Sequence, residues 1–510
     1  MRTSGADLLK FPRSAGCLDH RGRNFMTSTS GTVQTFADCL REIIAENGWT
    51  LDVLAEATGY KSKTSVSRIL REESSAKNRE HFLEQLRQSR LLRPEELDRL
   101  QGALEVSALG ADKVCARQVL LDLILGQNAG PDALPEDFAA LLDAFHTADE
   151  GRLLLINGMD SVLLAPLRDV LAQNRGVALR HYFSIGSSAL CAAKALRQLS
   201  RMAFLPNYTA CANDSEFALG ALAGLPDVLI ASIRRPDGST EDSLTVFSAP
   251  SRASTFRLPG EYGLCSYLER AFSPISSQCA PITQVCSTSD GPEGFVSVMQ
   301  FWADCERDRE MYHVKSDLCL NQIPTSIVRA ALNERALSAA FPGVPSGELH
   351  KLLERFLYYQ LLRYRNMDES RAARHLIMSM RGLTDFARTG LLSEHFGAMR
   401  PFTPSERRAA LEKLLARAVK NKQFFFYLYK DGFEPKVEID CWGSYGLTAF
   451  PLLRRRAATD NYCNNLILHP YLVNTFREYF QKGLCGRYTL PVSDSIAWLR
   501  ALIGRAFPES

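Results

Sequence analysis

The sequence has no long hydrophobic run. Among its 510 residues no 18 consecutive positions are apolar, and the best candidate, Phe217 to Ile233, is broken by Pro226 and Asp227. A membrane-spanning helix is therefore not expected. Excess charge is missing too: 60 Lys and Arg stand against 57 Asp and Glu, leaving +3, so any footprint for nucleic acid must be local. Paired cysteines are also absent. Thirteen Cys scatter from Cys17 to Cys485, none at C-x-x-C spacing. That removes zinc ribbons and thioredoxin-type sites and points to reduced, packed thiols in a cytoplasmic protein. There is no Gly-x4-Gly-Lys-[Ser/Thr] loop, no Gly-x-Gly-x-x-Gly, no His-Glu-x-x-His and no Gly-x-Ser-x-Gly, since Trp442 stands where the last of these needs its first Gly. Nine dispersed His suggest no metal spacing. No catalytic residue, metal or cofactor follows, and an enzyme is not the first expectation.

What is present is ordinary globular composition, 46% apolar and 23% charged. The length implies about three domains at roughly 100–200 residues each. Residues 1–30 have neither periodicity nor an apolar h-region, so they are no signal peptide. They are expected to be disordered or to precede a start at Met26.

Order begins with Phe36, Leu40, Ile43 and Ile44 at helical spacing, with Thr35 as N-cap and Gly48 as terminator. Thr50 caps a second helix, 51–58, which Gly59 closes. A third helix opens near Ser62 or Thr64, with Val66, Ile69 and Leu70 inward. Two short helices about a Gly-containing turn are the helix-turn-helix signature. From Gly59 to Arg71 there are four bases, Lys61, Lys63, Arg68 and Arg71, and no acid. Ser62, Thr64, Ser65 and Ser67 fill the gaps. Small hydroxyl residues keep the helix slim enough for a major groove, and the bases supply donors for base edges and phosphates.

Leu54-Ala55-x-x-x-Gly59 followed by Ser62-Lys-Thr-Ser-Val-Ser-Arg-Ile69 resembles the phage-repressor (Cro-type, XRE) helix-turn-helix. The resemblance covers residues 35–100 at most. It implies that Ala55 and Gly59 pack the turn and that Lys63, Thr64, Ser65, Ser67 and Arg68 read DNA. The spacing from Gly59 to Val66 is seven where the family usually has six, so the turn reads one residue longer. The same pattern also serves protein–protein contacts, and segment 36–102 is near neutral, with eleven Lys/Arg and twelve Asp/Glu. Further helices follow around Phe82 to Leu92, from Pro94 with Glu95 and Glu96 in its first turn, and over 114–125, before a Gly/Pro linker at 127–135.

The middle of the chain changes character. Residues 152–157 read as a buried strand, 162–171 as a helix and 177–183 as a second strand, one β-α-β unit with a parallel pair. Segments 227–233 and 244–247 flank Pro236-Asp237-Gly238 as a hairpin. His181, Tyr182 and Ser184 sit at a strand end, where α/β ligands collect, and form a candidate ligand site; a buried, hydrogen-bonded His181 is the alternative. The unit also resembles phospholipase-D-like halves, whose His-x-Lys-x4-Asp uses His as phosphoryl acceptor. Phe183 replaces the Lys after His181, and His313-Val-Lys315 is followed by Leu320 at the Asp position, so neither motif is complete. Residues 261–325 read as loop-rich with aromatics that suit a pocket or plain core. A strong amphipathic helix spans 349–364. Beyond 400 the expected order is a helix capped by Thr403, with Pro404 at its first position and a solvated basic face (Arg407, Arg408, Lys413, Arg417), strands at 424–429 and 437–442, the basic run Arg454-Arg-Arg456, and two closing helices. No clear repeat links 151–250 with 420–510, although both carry strand pairs, and a duplicated sheet is the alternative.

The expected fold is multidomain: an N-terminal all-α helix-turn-helix module, then α/β mixed-sheet domains with helical insertions. The boundaries are 31–105 for the module, 106–150 connector, 151–340 α/β sensor or effector, 341–400 helical, and 401–510 α/β packing on 151–340. The expected function is a DNA-binding transcriptional regulator, a homodimer on double-stranded DNA, answering a small-molecule or protein signal. Its DNA-contacting residues are Lys61, Ser62, Lys63, Thr64, Ser65, Ser67, Arg68 and Arg71. The alternatives are a catalytically degenerate phospholipase-D-like protein and a protein-interaction module.

Overall fold

The computed structural model describes residues 35–126, 136–158, 163–202, 205–213, 222, 225–249, 252–287, 292–332, 335, 338, 341, 343–392, 399–451 and 463–508. The expectations for residues 1–30, for the linker at 127–135 and for Arg454-Arg-Arg456 lie outside these. The chain divides into two compact units, one through Ala111 and one from Asp112.

The first unit is helical: α1 (Phe36–Asn47), α2 (Leu51–Ala57), α3 (Lys63–Leu70), α4 (Ala76–Ser89) and α5 (Pro94–Leu109). Their boundaries follow local chemistry. Thr35 and Thr50 accept the first-turn N–H groups of Asp38 and Val53, and Gly48 takes the left-handed conformation (φ 64°) that ends α1. Phe36, Leu40, Ile43, Leu54, Val66, Ile69, Phe82, Leu86, Leu100 and Leu104 close over one core. Each such large side chain contributes roughly 1.5–3 kcal/mol of burial. Pro94 stands at the first position of α5, and Glu96 accepts from the Arg93 N–H and from Asn47 Nδ2 at 2.9 Å, which ties α5 to α1. Hydrogen bonding from Arg93 holds the Glu96 carboxyl down at about 2. The α5 helix carries the module past residue 105, the boundary read from sequence.

The second unit is built on two seven-stranded mixed sheets. It begins with α6 (Ala111–Ile124) and α7 (Glu136–Thr147), whose Leu120, Ile124, Phe138 and Phe145 are part of its main core rather than a connector. Then come β1 (Glu150–Ile156), α8 (Leu164–Gln173), β2 (Val177–Ser184), α9 (Ala189–Met202), β3 (Tyr208–Asn213), β4 (Asp227–Arg234), β5 (Thr240–Ala249), β6 (Arg252–Pro259), α10 (Leu264–Ser276) and β7 (Ala280–Pro281). The first sheet has the order β6-β5-β4-β1-β2-β3-β7.

The second sheet draws on β8 (Thr283–Ser287), α11 (Pro292–Glu306), β9 (Met311–Val314), α12 (Thr325–Ala331), α13 (Ser346–Glu369), β10 (Arg374–Met378), α14 (Met380–Thr389), α15 (Pro404–Lys420), β11 (Phe424–Leu428), β12 (Val437–Trp442), β13 (Gly446–Pro451) and β14 (Cys463–Ile467). Two helices, α16 (Pro470–Tyr479) and α17 (Val492–Ala506), complete the unit. The order is β11-β10-β9-β12-β13-β14-β8.

The two sheets repeat one plan. In each, a central strand (β1 or β9) pairs in parallel with the next (β2 or β10), which pairs in parallel with a third (β3 or β11). On its other side the central strand pairs antiparallel with a fourth (β4 or β12), which leads into an antiparallel meander. In the sequence the repeat showed only as strand pairs in both α/β segments, and it relocates two boundaries. The boundaries expected after 340 and after 400 cut through the second sheet, because β9 from the earlier segment pairs with β10 and β12 from the later ones. Residues 261–325, expected to be loop-rich, are largely regular: α10, β7, β8, α11 and β9 lie there.

Strand alternation assigns the faces. Leu153 and Leu155 of β1, Tyr312 and Val314 of β9, and Ile439 and Cys441 of β12 share one core with α6, α7, α8, α9 and α16. The opposite face of the first sheet is apolar, with Leu154, Ile156, Tyr182, Cys211 and Ile230 under α10. The opposite face of the second lies under α11 to α15 and α17.

Candidate functional site

The α3 helix stands on a two-residue foot. Val66 and Ile69 are buried, while Lys61, Ser62, Lys63, Thr64, Arg68 and Arg71 are exposed and Ser65 and Ser67 are half-buried. The turn before it is fixed by backbone bonds: Tyr60 N–H donates to Ala55 O at 2.9 Å, and Gly59 holds φ 69°. Ala55 is buried at this corner, in the core that Val66 and Ile69 of α3 share. Ser62 is the N-cap residue, but its hydroxyl makes no capping bond. Ser65 N–H donates to the Ser62 carbonyl at 3.1 Å, and the N–H groups of Lys63 and Thr64 add to the donors that the side chains of Lys61, Lys63 and Thr64 present. Lys63 lies 3.9 Å from Asp52, an exposed pair worth little in water. Glu72 and Glu73 follow just beyond Arg71, so the basic face ends with the helix.

The three residues at the end of β2 do not converge. His181 is buried on the shared-core face; its Nδ1 lies 3.0 Å from the Tyr208 hydroxyl, and its Nε2 is bonded to the Asn157 carbonyl. Nε2–H donates to that carbonyl, leaving Nδ1 to accept from Tyr208, and burial pushes the imidazole down to about 4. Tyr182 points to the other face, against Phe272 at 5.4 Å. His181 is thus a satisfied core residue. The aromatics of 261–325 also fail to gather: Phe272, Trp302 and Tyr312 are buried, whereas Tyr262 and Tyr267 are exposed.

The second sheet holds what the first lacks. On its outer face β9 presents His313, Lys315 follows directly after the strand, and β12 presents Glu438 and Asp440, all buried. His313 and Asp440 are cross-strand partners, with Nδ1 and Oδ1 3.3 Å apart. Lys315 Nζ lies 3.0 Å from Asp440 and 3.4 Å from Glu438. Glu438 also accepts from the Ser316 N–H at 3.0 Å and from its hydroxyl. Nearby, Arg363 of α13 donates to Glu306 of α11 at 2.8 Å and covers the Trp302 ring at 4.7 Å. Arg374 of β10 donates to the carbonyls of Glu306 and Asn366, at 2.7 and 3.1 Å. Lys315 thus faces Glu438 and Asp440, Arg363 faces Glu306, and Arg374 is taken up by backbone carbonyls.

Burial works against ionisation of Asp440, but His313 and Lys315 outweigh it and hold its carboxyl below the usual range. Burial takes His313 down to about 4, against the pull of Asp440. Its Nε2, and the Nε1 of Trp442 whose ring meets it edge-on at 6.2 Å, carry no hydrogen bond among the described residues. The incomplete His-x-Lys motif therefore has an acid beside it, supplied by β12 instead of by the position five residues on, where Leu320 is buried core. The sequence offered a signal for this centre: alternating charges in two apolar strands, His313-x-Lys315 and Glu438-x-Asp440.

Among the described residues no three His, Cys, Asp or Glu are grouped to hold a metal ion, and no helix is long and apolar enough to cross a membrane. No family model matches the chain, and no curated protein matches it by sequence. Among solved structures, a polyphosphate kinase from Porphyromonas gingivalis is similar with a TM-score of 0.20 and 10% identity, over 72% of this chain and 53% of that one. This chain thus spans about half the length of that kinase, and a likeness this slight carries no conclusion about activity.

Proposed function

We propose that the chain is a DNA-binding transcriptional regulator, with the first unit as reader and the second as sensor and dimerisation region. One observation carries this reading: α3 turns Val66 and Ile69 inward and leaves Lys63, Thr64 and Arg68 exposed on a helix without an acid, with Lys61 and Arg71 exposed at its two ends. Such a cylinder enters a major groove with its N-terminal residues at the base edges. Two copies in a homodimer bind half-sites about 34–36 Å apart, and a small-molecule or protein signal acts by favouring one spacing of the modules.

The test is duplex selection with the full chain, followed by titration of Lys63→Ala/Arg68→Ala on the selected site. The double variant is expected to bind roughly 10- to 1,000-fold more weakly, with a shallower salt slope. A chain that selects no sequence, or a variant that binds as tightly as the native chain, overturns the reading.

A second reading rests on His313, whose Nδ1 faces Asp440 and whose Nε2 is unengaged beside Lys315. A phosphoryl-accepting histidine needs this orientation, and it needs access to Nε2, which is buried here. The orientation supports the phospholipase-D-like alternative, to which the two-copy sheet plan also lends weight. Under it the chain cleaves bis(p-nitrophenyl) phosphate and His313→Ala abolishes turnover. Rates equal in the two proteins discard it.

A further inference from the structure

The C-terminal turn of α15 and the end of α13 border an open depression of about 430 Å³, lined by Asp368, Lys413, Arg417, Lys420, Asn421 and Lys422 besides Ala416. It is a polar surface basin and not an enclosed apolar cavity. Four cations and one acid line it. Asp368 is already occupied: Arg417 Nε donates to it at 2.7 Å and Lys413 Nζ lies at 3.5 Å. Burial opposes ionisation of Asp368, and these two cations still hold its carboxyl below the usual range. Lys420 and Lys422 are exposed and have no ion-pair partner among the described residues.

Arg417 is the unusual member of the lining. Sequence placed it on a solvated basic face, yet its side chain has 0% exposure. Gln322 takes Nη1 at 2.6 Å, the Tyr364 ring lies under the guanidinium at 5.0 Å, and Nη2 makes no hydrogen bond. A buried guanidinium donor without an acceptor is a position a native chain seldom tolerates.

Compensation of the α15 C-terminus is the plain explanation for bases there, but that terminus carries only about half a negative charge. The surplus in the pocket is three positive charges, because Asp368 offsets one of four. A monocarboxylate leaves most of that surplus unmatched. A phosphate group, at about −1.5 to −2 and with three acceptor oxygens, fits Arg and Lys together.

We infer that this pocket binds a small phosphorylated anion of pyrophosphate size, gripped by Lys420 and Lys422 at the rim. The site belongs to the second unit and stands whether or not α3 binds DNA.

Pyrophosphate titration of the full chain, at ionic strength matched with chloride, is the test, run by calorimetry and by thermal unfolding. Saturable binding and a rise in Tm with ligand are expected. Both should weaken by at least about tenfold in Lys420→Glu/Lys422→Glu, where charges are reversed at exposed positions that bear no core. Adenosine triphosphate binding equally in the native chain, and losing as much in the variant, supports recognition of the phosphates themselves. Absence of saturable binding overturns the inference, as does equal binding by the variant. A variant that loses duplex DNA while pyrophosphate never binds also overturns it and assigns the bases to a nucleic-acid path. Lys63→Ala/Arg68→Ala is expected to bind pyrophosphate normally, which separates this site from the DNA reading.

Discussion

The two sheets of the second unit share a strand order and differ in what they bury. At the centre of the first sheet's outer face are Leu154, Ile156 and Ile230, covered by α10. At the corresponding centre of the second, between the same kinds of neighbour strands, are His313, Lys315, Glu438 and Asp440. The first sheet does bury an acid, Asp242 on β5, but this carboxylate accepts the Cys265 N–H at 2.9 Å and serves the N-terminus of α10. One backbone plan thus accepts either an apolar or a charged centre. Stability does not select between them in favour of charge: desolvating ions costs several kcal/mol each, and a well-packed apolar substitute is often neutral or better. The charged centre is therefore better explained by what it does or by the arrangement it specifies than by the energy it contributes.

The sharpest way to break this comparison is to remove one charge. Lys315→Met leaves Glu438 and Asp440 buried without their shared cation, and a loss of about 3–5 kcal/mol in denaturant unfolding of the second unit is expected. Lys315→Met/Glu438→Leu/Asp440→Leu, which imitates the first sheet, is expected to recover most of that loss. If the single variant costs less than about 1 kcal/mol, the centre is more hydrated than its burial indicates, and the contrast between the sheets fails.

The sequence made some of this legible and hid the rest for identifiable reasons. Elements with strong local signals emerged nearly as read: Thr35 and Gly48 bound α1, Thr403 and Pro404 open α15, and the 236–238 turn joins β4 to β5 as a hairpin. Such features depend on neighbours a few residues apart. The repeat of the sheets was legible only as strand pairs in both segments, because β1 and β9 resemble each other only in what pairs beside them, and α12 and α13 separate β9 from β10 where a single helix separates β1 from β2. The charged centre was half legible. His313 and Lys315 were noted as a broken motif, whereas Glu438 and Asp440 are over 120 positions away and meet them only through β9–β12 pairing. Arg417 was misplaced because a base on an amphipathic helix is usually solvated, and nothing local announced Gln322, Asp368 and Tyr364 around it. The exposed face of α3 was legible, since Val66 and Ile69 fix which side turns inward.

A second contrast lies in pH. His181 in the first sheet and His313 in the second are both held near about 4 by burial, one in a neutral setting and one beside Asp440 and Lys315. Each is neutral in the native chain across the physiological range. An unfolded His titrates near 6.5, so the unfolded state takes up a proton that the native state refuses. Stability is therefore retained above about pH 6.5 and lost as pH falls toward 4, at about 1.4 kcal/mol per pH unit for each His, or about 2 kcal/mol by pH 5. His181→Gln is expected to flatten the stability profile between pH 6.5 and 5 by one such increment. An unchanged slope would show that His181 is charged in the native state, contrary to its bonds with Tyr208 and Asn157.

The smallest expected effect comes from the apolar centre itself. Ile156 of β1 lies 4% exposed on the outer face of the first sheet, near Tyr182 and Ile230, and Ile156→Val removes one methyl group while keeping the β-branched shape that a central strand favours. The cost is expected to be about 0.5–1.5 kcal/mol, the transfer of that group plus the small space it leaves. Unlike Lys315→Met, this change leaves no polar group stranded, so its effect should stay flat from pH 5 to 8. The ratio of the two losses then measures how differently one strand plan treats an apolar and an ionic interior. A loss at Ile156 that matched the loss at Lys315 would mean that packing, and not charge, governs both faces.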